Sequence, residues 1–354
     1  MLVSRRDQYI SLHNALWDVS QYHSPNSKIG NSDENENASV PRPVNISDRL
    51  AIYKVVDSLT EIVMAPTSLV HTPSGTHFYA GGQNHISFFD LSYTNEPPLS
   101  QILTIPSKRS KLKGGGYGFK GTISALCISP PSAMVRTGVL AAGSRTRYVG
   151  LYDSERSGEE ITHFALTGGI TGSRDSTSEG NKRLNGTGVS HLRWSMCGTY
   201  LYVAERMSDV LLIYDIRKFE RALGYCAGRK AITNKKMCFD IWKAQDLYNE
   251  GVTEVWAGGT DGCVRVWRDP HLKEGAVEAE EVVKVCDEPI ASALVHPYGG
   301  LAIVASGSRE LDGETGERKG ERRGGGHTPV FREWGSLKIL GLGNDEDEQN
   351  MDGH

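Results

Sequence analysis

The sequence predicts an all-β propeller assembled from repeated four-stranded sheets. Three observations carry that prediction. One β-rich unit recurs along the 354 residues, each unit ends a strand on small residues, and each ends the following strand on an aromatic residue beside Asp or Arg. A narrow sheet cannot bury both of its faces alone, so such units stack around an axis.

The elements follow in order. The aromatic endings are Trp17-Asp18, Phe89-Asp90, Tyr152-Asp153, Tyr214-Asp215 and Trp267-Arg268. Upstream of them or of their equivalents lie HFYAGG, VLAAGS, LYVAE, VWAGG and IVASGS, which close on Ala, Gly or Ser. Before those come LVHTPSG, ALCISPPS, LRWSMCG and ALVHPYGG, each a strand followed by a Pro or Gly turn. Small residues on the inner strands let neighbouring blades approach closely, while the terminal aromatics fill the wider outer gap. This is a WD-type propeller pattern. Whole blades fall at about 50–91, 99–154, 160–217, 228–269 and 280–341, and residues 1–18 supply half a blade. Five and a half blades do not close a ring neatly. The expectation is a chain N-terminally incomplete relative to a seven-bladed parent, an open crescent with an exposed edge at residues 2–17.

Composition fits a large folded core, with 38% hydrophobic and 23% charged residues. No apolar run approaches the roughly 20 residues that cross a bilayer, and the start has no apolar signal core. The six cysteines contain no C-x-x-C pair, which points to a reducing compartment. The Ser/Asn/Pro-rich stretch 19–46 reads as a disordered insertion, 167–186 and 309–327 as mobile loops, and 342–354 as an acidic disordered tail.

Nothing in the motif set points to catalysis, a metal, a cofactor or a small-molecule substrate. Zinc-protease, paired-cysteine and nucleophile-elbow patterns are lacking. His71 and His296 sit at turns, where structural hydrogen bonds are common. The recurring Asp18, Asp90, Asp153 and Asp215 are repeat architecture and not an acid pair.

The repeat register exposes one candidate binding feature. The residue after each small-residue ending is Arg5, Gln83, Arg145, Arg206, Thr260 and Arg309 in turn, so four of six equivalent positions are Arg, with Arg6 and Arg147 close by. Equivalent turns share one face of a propeller, which would set these arginines in an arc. Guanidinium forks bind phosphate and stack on bases. The alternative is that each Arg caps its own blade. Two basic stretches add to the anion-binding reading although net charge is -4. Lys108, Arg109, Lys111, Lys113 and Lys120 surround Tyr117 and Phe119. Arg229, Lys230, Lys235 and Lys236 follow Tyr225. Solvated loops without a ligand are the plain alternative for either stretch.

Beyond the general repeat, GTISALCISP with GVLAAGSRTRYVGLYD, GVSHLRWSMCGTYLYVAERMSDVLLIYDIR with TNKKMCFDI, and VWAGGTDGCVRVWRDP with IASALVHPYGGLAIVASGSRE resemble the telomerase Cajal-body protein family and its fungal splicing-linked relatives. The resemblance covers residues 1–18 and 60–341. Lys236 stands where that family commonly carries Arg. The resemblance implies a non-catalytic nuclear protein that binds small nuclear or telomerase-type RNA through a hairpin-loop element, alongside ribonucleoprotein proteins. A protein-only scaffold docking peptides or subunits is the rival expectation.

Overall fold

A computed structural model of the chain describes residues 2–4, 9–13, 49–56, 62–105, 118–131, 138–154, 158–166, 184–243, 251–311 and 331–342. These form six sheets in sequence order. The first holds β1 (Leu2–Ser4), β2 (Tyr9–His13), β3 (Arg49–Val56) and β4 (Val63–Met64). The second holds β5 (Ser68–His71), β6 (His77–Gly81), β7 (His85–Asp90) and β8 (Ser100–Leu103), and the third β9 (Ile123–Ile128), β10 (Val139–Ser144), β11 (Tyr148–Asp153) and β12 (Glu160–Ala165). The fourth joins β13 (Val189–Trp194), β14 (Tyr200–Glu205), β15 (Leu211–Asp215) and β16 (Gly224–Cys226) to a parallel outer strand, β20 (Gly275–Val277). The fifth is β17 (Phe239–Lys243), β18 (Thr253–Gly258), β19 (Cys263–Arg268) and β21 (Glu281–Lys284). The sixth is β22 (Ile290–Val295), β23 (Leu301–Leu311) and β24 (Phe331–Gly341). The rest of the pairing is antiparallel, and the architecture is the WD-type β-propeller that the repeats predict.

Sheet boundaries fall one strand later than the repeat boundaries. The opening strand of a repeat pairs backwards, onto the preceding sheet: β3 on β2, β8 on β7, β12 on β11 and β21 on β19. Four of the five whole repeats are thereby interlocked with their predecessors. Residues 49–56 accordingly give the first sheet more than the two strands of residues 1–18. Among the described residues no ladder joins the first sheet to the sixth, and β1 is paired on one side. The insertion at 19–46 lies outside the described residues, as do Trp17-Asp18, nearly all of 167–186 and the tail beyond 342. Residues 309–311, expected to open a mobile loop, instead continue β23.

Five apolar clusters lie between consecutive sheets and weld them in series. Ile10, Tyr53 and Phe78 join the first to the second, and Tyr79, Ile123 and Tyr152 the second to the third. Leu151, Leu192 and Tyr214 join the third to the fourth, Tyr202, Phe239 and Trp267 the fourth to the fifth, and Trp256, Ile290 and Val304 the fifth to the sixth. The blade-ending aromatics Phe89, Tyr152, Tyr214 and Trp267 are all buried, which is the gap-filling role their position predicts. Hydroxyls at the heads of the inner strands latch one sheet to the next. Ser68 donates to the Ile123 carbonyl at 2.8 Å, and Ser124 to the Val189 carbonyl at 2.5 Å. The recurring Asp residues hold turns: Asp90 accepts from the Ser92 amide at 2.7 Å and Asp215 from the Arg217 amide at 2.9 Å.

Candidate functional site

The turns between second and third strands open on one face, together with the connections that lead into the inner strands. Hydrogen bonds tie the two sets together. Arg145 donates its amide to the Thr122 carbonyl at 3.0 Å, Arg206 to the Gly188 carbonyl at 2.9 Å, Met207 to the Thr233 carbonyl at 3.0 Å and Thr260 to the Lys230 carbonyl at 2.8 Å. Each turn needs one residue in the left-handed region, supplied by Asn84, Arg147, Met207 and Gly262. Gly188 is where two turns meet: its φ is +148°, and a Cβ there would stand 2.8 Å from the Arg145 Cα. That close approach sets the Arg145 and Arg206 turns side by side.

The structure brings together part of the expected cationic arc. Arg145 is exposed, and Lys120 beside it is anchored by its carbonyl, which accepts from Thr146 Oγ1 at 2.5 Å. Arg206 is half-buried. Its Nη1 donates to the Asn234 carbonyl, and its buried Nε has no partner among the described residues. Burial, then the charge of neighbouring Arg145, holds the Arg206 guanidinium below its ordinary range. The Arg145 and Arg206 guanidinium groups, on adjacent blades, thus lie close enough for one positive charge to disfavour the other. The same loop continues from Asn234 to Lys235 and Lys236, both exposed. Among the described residues Lys120, Arg145, Lys235 and Lys236 make no ion pair, so five cations run along one arc of this face.

Other members of the predicted set are engaged inside the protein. Arg147 donates to Glu205 at 2.7 and 3.1 Å and to Asn185 at 2.9 Å, bolting one sheet to the next. Arg229 is 1% exposed, with Nε on the Gly258 carbonyl at 3.3 Å and Nη2 on the Met237 and Cys238 carbonyls at 3.1 and 3.3 Å. Burial pushes its guanidinium down to about 10. Arg309 lies in the ladder of β23, opposite Glu333, with which it forms an ion pair at 3.0 Å, rather than in a turn. Arg5, Arg6, Lys108, Arg109, Lys111, Lys113 and Tyr117 lie outside the described residues.

Two features escaped the sequence reading. A cleft of about 490 Å³ lies beside Lys235 and Lys236, walled by Thr260, Ile290, Arg309, Glu333 and Trp334. The only sequence signal for it is the aromatic in FREWGS, placed there because β24 extends alongside β23. The second is His191, whose Nδ1 accepts the Phe239 amide at 3.3 Å while its ring meets Phe239 edge-on. Burial, reinforced by Arg193, Lys236 and Arg229, lowers its basicity well below the usual range, so the imidazole stays neutral with its proton on Nε2.

Chemically, the face offers fixed positive charge and hydrogen-bond donors for an anion. Among the described residues no cluster of His, Cys, Asp and Glu suited to a metal ion is formed, and no helix is long and apolar enough to cross a membrane.

No family model matches the chain. It is 27% identical over 224 residues to guanine nucleotide-binding protein negative regulator 1 of Schizosaccharomyces pombe (strain 972). That alignment takes in 63% of this chain and 48% of the relative, so the chain spans about half the length of the curated protein it matches. The chain is therefore a WD-type propeller with a distant likeness to a protein named as a regulator of guanine nucleotide-binding proteins.

Proposed function

We propose that this protein is a non-catalytic RNA-binding propeller that assembles small nuclear or telomerase-type RNA with ribonucleoprotein proteins in the nucleus. One observation carries the reading: Lys120, Arg145, Arg206, Lys235 and Lys236 lie on one face, and among the described residues none of them forms an ion pair. Holding Arg145 and Arg206 together costs Coulomb energy, which a phosphate placed between them would recover. RNA crosslinking followed by sequencing of the bound fragments in cells tests this reading. Enrichment of small structured nuclear RNAs at loop positions supports it, and RNA recovery at background level removes it.

A second reading is favoured by the relative's name. The propeller is then a protein-only scaffold, its partner a guanine nucleotide-binding protein or another regulatory subunit. Salt separates the two. Displacement of counterions from RNA makes affinity fall steeply with salt, whereas a mixed protein interface responds weakly.

A further inference from the structure

The cleft between the fifth and sixth sheets has the parts of a single-nucleotide seat. Its volume of about 490 Å³ lies in the range of pockets that hold small ligands. Trp334 stands at its wall with 45% of its surface exposed, which leaves part of the ring open as a stacking platform. The lining includes Ile290, which is fully buried within the apolar cluster linking the two sheets. Lys235 and Lys236 also line the cleft, exposed and without an ion pair among the described residues. Among the described lining residues the one carboxylate, Glu333, is paired with Arg309 at 3.0 Å and so repels an anion little.

We infer that this cleft seats one unpaired nucleotide of a single-stranded RNA segment, with its base against Trp334 and its phosphate at Lys235 and Lys236. The inference rests on the RNA reading above and adds to it the place where the strand is anchored. Stacking on an aromatic face tolerates every base, so the seat selects single-strandedness over sequence. A paired nucleotide is held in its duplex stack and cannot present its face to Trp334. The strand then continues from Lys235 over Asn234 towards the Arg206 and Arg145 pair, along the arc already described.

The test is binding of a fluorescent 12-nucleotide single-stranded RNA to the full chain across a salt series. Trp334→Ala should weaken binding about tenfold while leaving the salt slope unchanged, and Trp334→Phe should restore most of it. Lys235→Gln with Lys236→Gln, both at exposed positions, should instead flatten the slope by about 0.7, the share of the one phosphate contact they make together. If RNA binds and depends on Arg145, yet Trp334→Ala changes affinity by less than about twofold, the seat is wrong and the RNA reading stands. If the unaltered chain binds no RNA, or an acidic 12-residue peptide outcompetes the RNA, both fall. Unchanged urea midpoints for the variants confirm that binding, not folding, was read.

Discussion

Arg147 of the third sheet holds Glu205 of the fourth, its Nε donating to Oε1 at 2.7 Å and its Nη2 to Oε2 at 3.1 Å. Glu205 is almost wholly buried, and it also accepts the Gly186 amide at 3.2 Å. Arg147 itself sits in the left-handed region at φ 65°, an unfavourable conformation for a side-chain-bearing residue. The ion pair keeps that turn in place. Replacing Arg147 by Ala leaves a buried carboxylate unpaired, with an expected loss of about 3 kcal/mol. Replacing Glu205 by Leu at the same time should recover part of it. Urea denaturation of the two variants measures both values.

Arg229 yields the converse of an RNA-contact phenotype. Its guanidinium is enclosed by backbone carbonyls of Met237, Cys238 and Gly258. Arg229→Ala leaves those carbonyls without donors, at about 1 kcal/mol each and about 3 kcal/mol in all. The folded fraction should bind RNA as the unaltered protein does. A stability curve paired with a binding curve for the same sample separates these effects.

The propeller was legible because its signals are local. The small endings before Arg145 and Arg206, and the aromatics Tyr152, Tyr214 and Trp267, mark strand and turn at a fixed spacing, and each took its expected place. The turn positions of Arg145 and Arg206 were legible for the same reason. What each arginine touches was not. Arg147 meets a carboxylate fifty-eight residues away. Arg229 reads as part of a basic run, since nothing in the letters GRKAITNKK tells that three carbonyls converge on its guanidinium. Arg309 fits the turn register, but the ladder of β23 with β24 runs past the point where earlier repeats turn. Trp334 became a wall of the cleft through that same ladder.

Acid should expose the role of Asp261. Its carboxylate accepts from Arg265 at 2.7 and 3.1 Å, and these bonds hold it well below its ordinary 3.8. A depressed carboxylate contributes stability that is complete above its unfolded value and fades as pH falls beneath it. Unfolding free energy should therefore fall less steeply below about pH 4 in Asp261→Asn than in the unaltered chain. At neutral pH the variant should be the less stable of the two. Equilibrium unfolding across an acid series checks the sign.

Trp267 closes the interface between the fourth and fifth sheets and is fully buried. Trp267→Ala should cost about 3–5 kcal/mol. Because the sheets are welded in series, the loss should localise. Hydrogen exchange should rise in β13 to β19 before it rises in β5 to β8.

The most direct test of the cationic face is the salt dependence of RNA binding by the unaltered chain and by Arg145→Ala with Arg206→Ala. Three phosphate contacts to a single strand, one at Lys120, one shared by Arg145 and Arg206 and one shared by Lys235 and Lys236, give a log–log slope of about -2.1, and removing the arginine contact should bring it to about -1.4 with weaker affinity throughout. That pair of slopes is the predicted result. A slope near zero for the unaltered chain, or one that the double variant leaves unchanged, would contradict the assignment of this face to RNA.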